Sequence, residues 1–344
     1  MATKTGRLPP LSTCSESCLS INQMHSPHQA LPGAKGKMLW TSLPAEIRLM
    51  VLEAITQQKH PGWASVAPVC KEWQLSIEKQ NFRRLKIQAS CLDDFERIIQ
   101  QSKRARLVQH IWLDVELPEY SCRLCKRSEF YSWSHPTGSR GPGLERGELT
   151  LELNAYSPSD SKHWFKNYSF ASDNKDNEYA TFNCSSWHNP QHGWVDGQQN
   201  TTPPCSVVQR LFETIDLRFK EDLPRVEIVS GFVVRRQLRR RLRPNSLLLL
   251  LSKLSGLESI IYEPWPLLER DWRMFNDKHF SQLVQNHLPQ TFKRVSIFED
   301  FSESHARMIG QTGQLMPWQS QVEISRVVDP RIAAAFAARS IDLE

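Results

Sequence analysis

From Ser90 to its last residue the sequence alternates between helical and strand-like spacing, and no other feature narrows the possible folds as much. Ser90 can cap a helix over 91–101, with Asp93 and Asp94 favoured in its first turn and Leu92, Phe95, Ile98 and Ile99 on one face. Residues 108–117 and 147–156 alternate apolar and polar positions as strands do. Ser157-Pro158 with Asp160 opens a helix, whose Trp164, Phe165 and Tyr168 pack inward or face a partner. Residues 207–220 keep helical spacing through Val207, Val208, Leu211, Phe212 and Ile215. Strand-like runs follow at 225–234, 257–262 and 293–298, with helical segments at 246–253 and 277–288 between them. Asp329-Pro330 starts a last helix, and 341–344 reads as the opening of another strand, as if the chain were a fragment of a longer protein.

Strand starts lie roughly 30 to 45 residues apart where the spacing is regular, longer than the ~20–29 residues of leucine-rich repeats. The expected fold class is therefore α/β: an irregular leucine-rich-repeat-like solenoid over 86–344, in which each unit is buried against its neighbours and the stack presents an extended surface. Two polar stretches interrupt it. Residues 121–146 are rich in Gly, Pro, Ser and Arg, and 172–206 in Asn, Gln, Gly, His and Pro. Loops of that length are uncommon in a compact domain unless they are disordered or bind something.

The first 37 residues hold few large apolar groups and many Ser, Pro, Gly and Lys, so they cannot offset their ordering entropy and are expected to be disordered. A transit peptide would want more Arg than the single Arg7. At Met38 the composition changes. Pro44 suits a first helical turn. Ile47, Met50, Val51, Ala54 and Ile55 then recur at helical spacing, flanked by Leu43 and Leu52. His60-Pro61-Gly62 breaks the chain, and Val66, Val69, Cys70, Trp73 and Ile77 form a second apolar face, with Pro68 starting or kinking that helix. Two short amphipathic helices bury little by themselves. They are either the first helices of a larger core or a handle for a partner.

Leu43-Pro44, Glu46-Ile47, Leu52, Ile55 and Val69-Cys70-Lys71-Glu72-Trp73 together resemble an F-box, a motif covering about a tenth of the chain. The following stretches, Asn81–Leu85, Ser90–Phe95, His110–Leu113, Glu116–Tyr120 and Leu149–Asn154, resemble a group of F-box proteins common in filamentous fungi. The resemblance implies an all-α F-box at 38–85, followed by the repeat region. It also implies a helix between the strands at 108–117 and 147–156. The sequence offers none there, so that helix has been lost or the gene model is altered at 121–146. The function implied is that of a substrate-recognition adaptor in an SCF-type cullin–RING ubiquitin ligase. Its partners would be the Skp adaptor, the cullin scaffold and an unidentified protein substrate. The adaptor contact would fall to Leu43, Pro44, Ile47, Leu52, Ile55, Val69 and Trp73. Such a subunit is not an enzyme and needs no cofactor. The competing expectation is a repeat scaffold outside any ligase, with the two helices as an N-terminal cap.

Composition sets the limits. Lys and Arg exceed Asp and Glu by 43 to 37, a net charge of +6 that does not by itself imply nucleic acid. The longest pure apolar run, 247–251, is far short of the ~20 residues that span a bilayer, so no membrane partner is expected. Eight scattered cysteines and the absence of an apolar signal segment point to reduced thiols in the cytoplasm or nucleus. The sequons at Asn167, Asn183 and Asn200 then carry no meaning.

Candidate chemistry is sparse. Cys122 and Cys125 have the spacing of half a zinc site, but the completing pair nearest to hand, Cys184 and His188, lies in a loop at unusual spacing, so no metal is expected. Arg235, Arg236, Arg239, Arg240, Arg241 and Arg243 form one dense basic run, read as a solvated face or a contact for an acidic partner. It has no interleaved aromatic platform for nucleic acid. Asp93-Asp94 and Glu299-Asp300 are paired carboxylates at element ends, where caps and surface groups are the ordinary role. No HExxH, phosphate loop or GxSxG elbow is present.

Overall fold

Helices α1 (Ala45–Gln58) and α2 (Lys71–Arg83) open the ordered chain, linked through a 3-10 turn at Trp63–Val69 that contains Pro68. The structure is a computed structural model, and it describes residues 40–58, 63–100, 104–122, 131–134, 148–167, 187–212, 214–219, 222–265, 270–299 and 330–341. The N-terminal stretch expected to be disordered lies outside them.

After α2 the chain runs directly into β1 (Arg84–Gln88), then α3 (Leu92–Gln100) and β2 (His110–Glu116). Strands β3 (Tyr131–Ser134) and β4 (Leu149–Tyr156) follow. Helix α4 (Pro158–Lys162) begins with a capping box. The Ser157 hydroxyl accepts from the Ser159 N–H, and the Asp160 carboxylate accepts from the Ser157 N–H at 3.1 Å. A two-stranded hairpin, β5 (Trp194–Val195) and β6 (Gln198–Gln199), precedes α5 (Cys205–Leu211). Then come β7 (Thr214–Arg218), β8 (Val229–Val234), β9 (Arg241–Leu242), α6 (Pro244–Leu251), β10 (Ser259–Tyr262), α7 (Arg270–Asn286), β11 (Arg294–Ile297) and α8 (Pro330–Ile341).

The fold is mixed α/β and built on parallel sheet. Six strands pair in the order β1-β2-β4-β8-β10-β11, which is also their order along the chain, and every pairing is parallel. A second parallel sheet has the order β3-β7-β9. Its strands fall in sequence between those of the first, so the chain visits the second sheet between β2 and β4, between β4 and β8, and between β8 and β10.

Several expectations change. The stretch 207–220 is not one helix: α5 ends at Leu211 and 214–218 is a strand. Ile215 fits both periods, whereas Leu217 falls on the far side of such a helix and fits the strand alone. Two-residue alternation wins because it buries both of them in the core while β7 pairs with β3 and β9. The stretch 121–146 contains β3, and 172–206 contains the hairpin. Ile341 closes a helix and does not open a strand.

The main sheet has two chemically distinct faces. Leu153, Ala155, Phe232, Val234, Ile260 and Tyr262 point into the large core, which Ile215, Leu217 and Leu242 of the second sheet also enter. Leu247 and Leu251 of α6 and Phe280, Leu283 and Val284 of α7 pack on it too. Each such side chain contributes about 1.5–3 kcal/mol by leaving water. The opposite face carries Lys86, Trp112, Asp114, Glu152 and Asn154, at the alternate positions of β1, β2 and β4. There Asn154 Nδ2 donates to Asp114 Oδ1 at 2.8 Å, and Lys86 Nζ lies 3.1 Å from Asp114 Oδ2.

Tyr156 ends this polar face. Burial, together with the negative charges of Asp114 and Glu116, pushes its phenol from 10.0 up to about 12. The folded state thus holds the proton more tightly than the unfolded chain. The associated stability is complete below pH ~10 and is lost as pH rises from about 10 through about 12. In a spectrophotometric titration of tyrosinate, the Tyr156→Phe variant should lack the most alkaline phase. Loss of a phase near pH 10 instead would mean that the phenol is not perturbed.

Candidate functional site

Four groupings of functional side chains stand out, and the first is the N-terminal helical pair. Leu52 is 2% exposed and Thr56 and Ile77 are also buried, which makes a small interior. Trp73 packs edge-on against Trp40 with centroids 5.1 Å apart, and Trp40 Nε1 donates to Glu72 at 2.9 Å. Of the seven residues expected to make the adaptor contact, Pro44, Ile47 and Val69 are exposed, while Leu43, Ile55 and Trp73 are partly buried. Leu52 faces inward and holds the unit together, so it is corrected from a contact to a core residue. Leu49, Met50 and Leu75 were not among the expected contacts, yet they are 57%, 64% and 65% exposed. A helix that is apolar on more than one side is the signal that could have found them.

The basic run behaves differently from expectation. Arg240 is 1% exposed and makes two bonds to Asp160, at 2.6 and 2.8 Å. Arg241 is buried, donating to the Trp265 carbonyl at 3.2 Å and to Glu299 at 3.0 Å. Arg235 pairs with Glu263 at 2.7 Å, Arg239 lies over the Trp265 ring, and Arg243 is 3.9 Å from Asp216. Arg240 and Arg241 are therefore interior residues and not part of a surface patch for an acidic partner. Arg236 and the end of Arg235 reach solvent, and Arg235, Arg239, Arg240, Arg241 and Arg243 meet acceptors or a ring of the surrounding elements, which a one-dimensional charge count cannot show. Asp94 pairs with Arg97 on the surface and Glu299 accepts from Arg241, while Asp300 lies outside the described residues.

A third grouping lies at the N-terminal ends of the main strands. A cavity of about 800 Å³ opens there, lined by Arg84, His110, Thr150, Gly231, Ser259 and Arg294, which are register partners across six strands. Glu152, next along β4, is 2% exposed and accepts from Arg84 at 3.3 Å, with His110 Nε2 at 2.8 Å. The cavity mixes both signs of charge, with Glu148 and Glu258 against Arg83 and Lys293.

The fourth grouping is a cluster of Cys122, His163 and His192. Cys122 Sγ is 3.5 Å from His163 Nδ1 and 3.6 Å from His192 Nε2. Three chain segments converge to make it: the exit from β2, the turn after α4, and the 3-10 turn Pro190–His192 before the hairpin. Gly193 ends that turn at φ +75°, where a Cβ would come 2.5 Å from the Thr201 carbonyl. Trp194 Nε1 and Gln199 Nε2 both donate to the Trp164 carbonyl, at 3.2 and 3.0 Å, and tie the hairpin to the segment after α4. Burial holds the His163 imidazole below its ordinary range, with Lys166 and Lys162 pushing the same way. His188, which spacing had offered as a ligand, is 3.2 Å from Asp196 instead. Cys125 and Cys184 lie outside the described residues.

No helix among the described residues is long and apolar enough to cross a membrane. Comparison of the chain with protein-family models, with curated proteins and with solved structures yields no match.

Proposed function

We propose that the chain is an F-box protein: a non-catalytic adaptor of an SCF-type cullin–RING ubiquitin ligase, acting in the cytoplasm or nucleus. The observation that carries this reading is the exposed apolar surface of α1, the 3-10 turn and α2. Ile47, Leu49, Met50, Val69 and Leu75 expose large apolar side chains on a helical unit whose sequence runs Leu43-Pro44 … Val69-Cys70-Lys71-Glu72-Trp73. That surface suits a partner presenting an apolar groove, as the Skp adaptor does. The strand order along the main sheet, together with the return through a second sheet, supports reading 86–344 as an irregular leucine-rich-repeat-like stack. Its polar strand ends and the cavity there are the natural place for a protein substrate.

The mechanism is effective concentration. One end of the chain holds the ligase scaffold and the other the target, so ubiquitin transfer becomes nearly intramolecular. The test is a binding titration of the full chain with recombinant Skp adaptor. Ile47→Asp with Val69→Asp places charges on the exposed surface and leaves Leu52 in place. Loss of a single anchor worth about 2 kcal/mol weakens binding about 30-fold, so the double variant should bind at least roughly 30-fold more weakly. Wild-type binding no tighter than the variant's would sink the ligase reading and leave a scaffold outside the ligase.

A further inference from the structure

The cluster of Cys122, His163 and His192 has geometry that the adaptor reading does not use. A tetrahedral zinc ion bound at its usual distances, Zn–S about 2.3 Å and Zn–N about 2.0–2.1 Å, holds a sulfur and a nitrogen ligand about 3.6 Å apart. The two sulfur–nitrogen separations here are 3.5 and 3.6 Å. All three donor atoms lie within 4.8 Å of one another. Direct van der Waals packing does not need both imidazoles to aim a nitrogen at the same thiol. Thiol–imidazole hydrogen bonds give the same aim without a metal, and a cation bound to the thiolate replaces them with stronger bonds at the same separations.

The support around the ligands has the same logic. His192 is 4% exposed, and its Nδ1 is 3.0 Å from Asn189 Oδ1. An amide oxygen only accepts, so the ring proton sits on Nδ1 and the lone pair of Nε2 points at Cys122. This is the outer-shell bond that fixes the tautomer of a ligating histidine. The edge of Trp164 packs on the His192 ring with centroids 5.6 Å apart, and Tyr120 lies beside His163 at 5.5 Å, so both rings are held in place. Beneath them, Tyr120 Oη donates to the buried Asp160 carboxylate at 3.0 Å, which anchors the cluster to the α4 cap.

We propose that Cys122, His163 and His192 bind one Zn²⁺ ion that pins the hairpin and the turn after α4 to the exit of β2. Zinc takes thiolate and imidazole donors together in a tetrahedral arrangement, and this set supplies three of the four positions. The ion joins segments separated by 41 and 70 residues along the chain, where a cross-link restricts the unfolded state most. The proposal is independent of the adaptor reading.

The test is metal analysis of the full chain, purified after growth with zinc and dialysed without chelator. About one zinc per chain is expected. Cys122→Ser and His192→Gln should fall towards zero, while His188→Gln, an exposed histidine outside the cluster, should keep the wild-type content. Asn189→Leu retains all three ligands but loses the bond to His192 Nδ1, and its zinc affinity should drop about 10- to 100-fold. Cobalt reconstitution of the wild type needs no variant to fold. It should give a thiolate-to-cobalt charge-transfer band and the strong visible bands of a tetrahedral ion. A wild-type chain that keeps no zinc and shows no thiolate–cobalt band overturns the proposal. So does zinc content that falls equally in the Cys122→Ser and His188→Gln variants.

Discussion

Arg240→Leu is expected to lower the melting temperature by about 6 to 20 °C, or to prevent folding outright. Both members of the Arg240–Asp160 pair are 1% exposed, and the guanidinium meets the carboxylate through two bonds of 2.6 and 2.8 Å. Asp160 also accepts from Tyr120 Oη at 3.0 Å and from the Ser157 N–H at 3.1 Å, so removing the arginine leaves a carboxylate held in place with no cation beside it. Breaking such a buried pair costs about 3–5 kcal/mol because the surviving charge is not solvated. At about 2–4 °C per kcal/mol for a domain of 150–250 residues, that gives the range stated. The double variant Arg240→Leu with Asp160→Asn removes the orphaned charge and should recover part of the loss. Thermal unfolding followed by circular dichroism reads both. A single variant within about 2 °C of wild type would mean that the pair is not holding α4 to the strand β9 region.

Gly256→Ala should cost about 3 kcal/mol or more, for a reason unrelated to glycine's conformational freedom. Gly256 lies in the turn before β10, and a Cβ built on it would sit 1.9 Å from the Glu227 carbonyl oxygen and 2.9 Å from its carbon. Those are backbone atoms, and they cannot rotate away. The same crossing is stitched by Val226 N to Lys253 O at 2.7 Å and Ser255 N to Val226 O at 3.1 Å. An added methyl must therefore push the lead-in to β8 off the turn before β10, or break those bonds. Gly231→Ala is the internal comparison. There the Cβ would meet Thr150 Oγ1 at 2.9 Å, the end of a side chain that can turn away, so the loss should be about 1 kcal/mol. Urea midpoints at constant slope separate the two. Equal losses would show that the turn yields easily.

Regular elements with one decided period were legible in the sequence. The strands at β2, β4, β8, β10 and β11 and the helices α3, α6, α7 and α8 fall inside or across the segments read from periodicity, because their apolar residues recur at a single local spacing. Residues 214–218 were not legible. Ile215 satisfies a helix continuing from α5 as well as a strand, Leu217 only a strand, and pairing with β3 and β9 decides the segment.

The candidate sites divide along the same line. The apolar residues of α1 and α2 could be placed on short helices from spacing alone, but which of them face out could not. Leu52 turns inward while Leu49 and Leu75 turn outward, because exposure depends on what the other segments cover. The arginine run showed its charge in the sequence but not its acceptors: Asp160 is 80 residues from Arg240, and Glu299 is 58 from Arg241.

By itself, then, the sequence determined the alternation of helix and strand, the two-helix N-terminal unit and the apolar side of each strand, since all of these follow from local periods of 3.6 and 2. Only the tertiary structure decided the return through a second sheet, the burial of the basic run and the meeting of Cys122 with His163 and His192. Each of those rests on contacts between segments far apart in sequence, and no local period carries information about them.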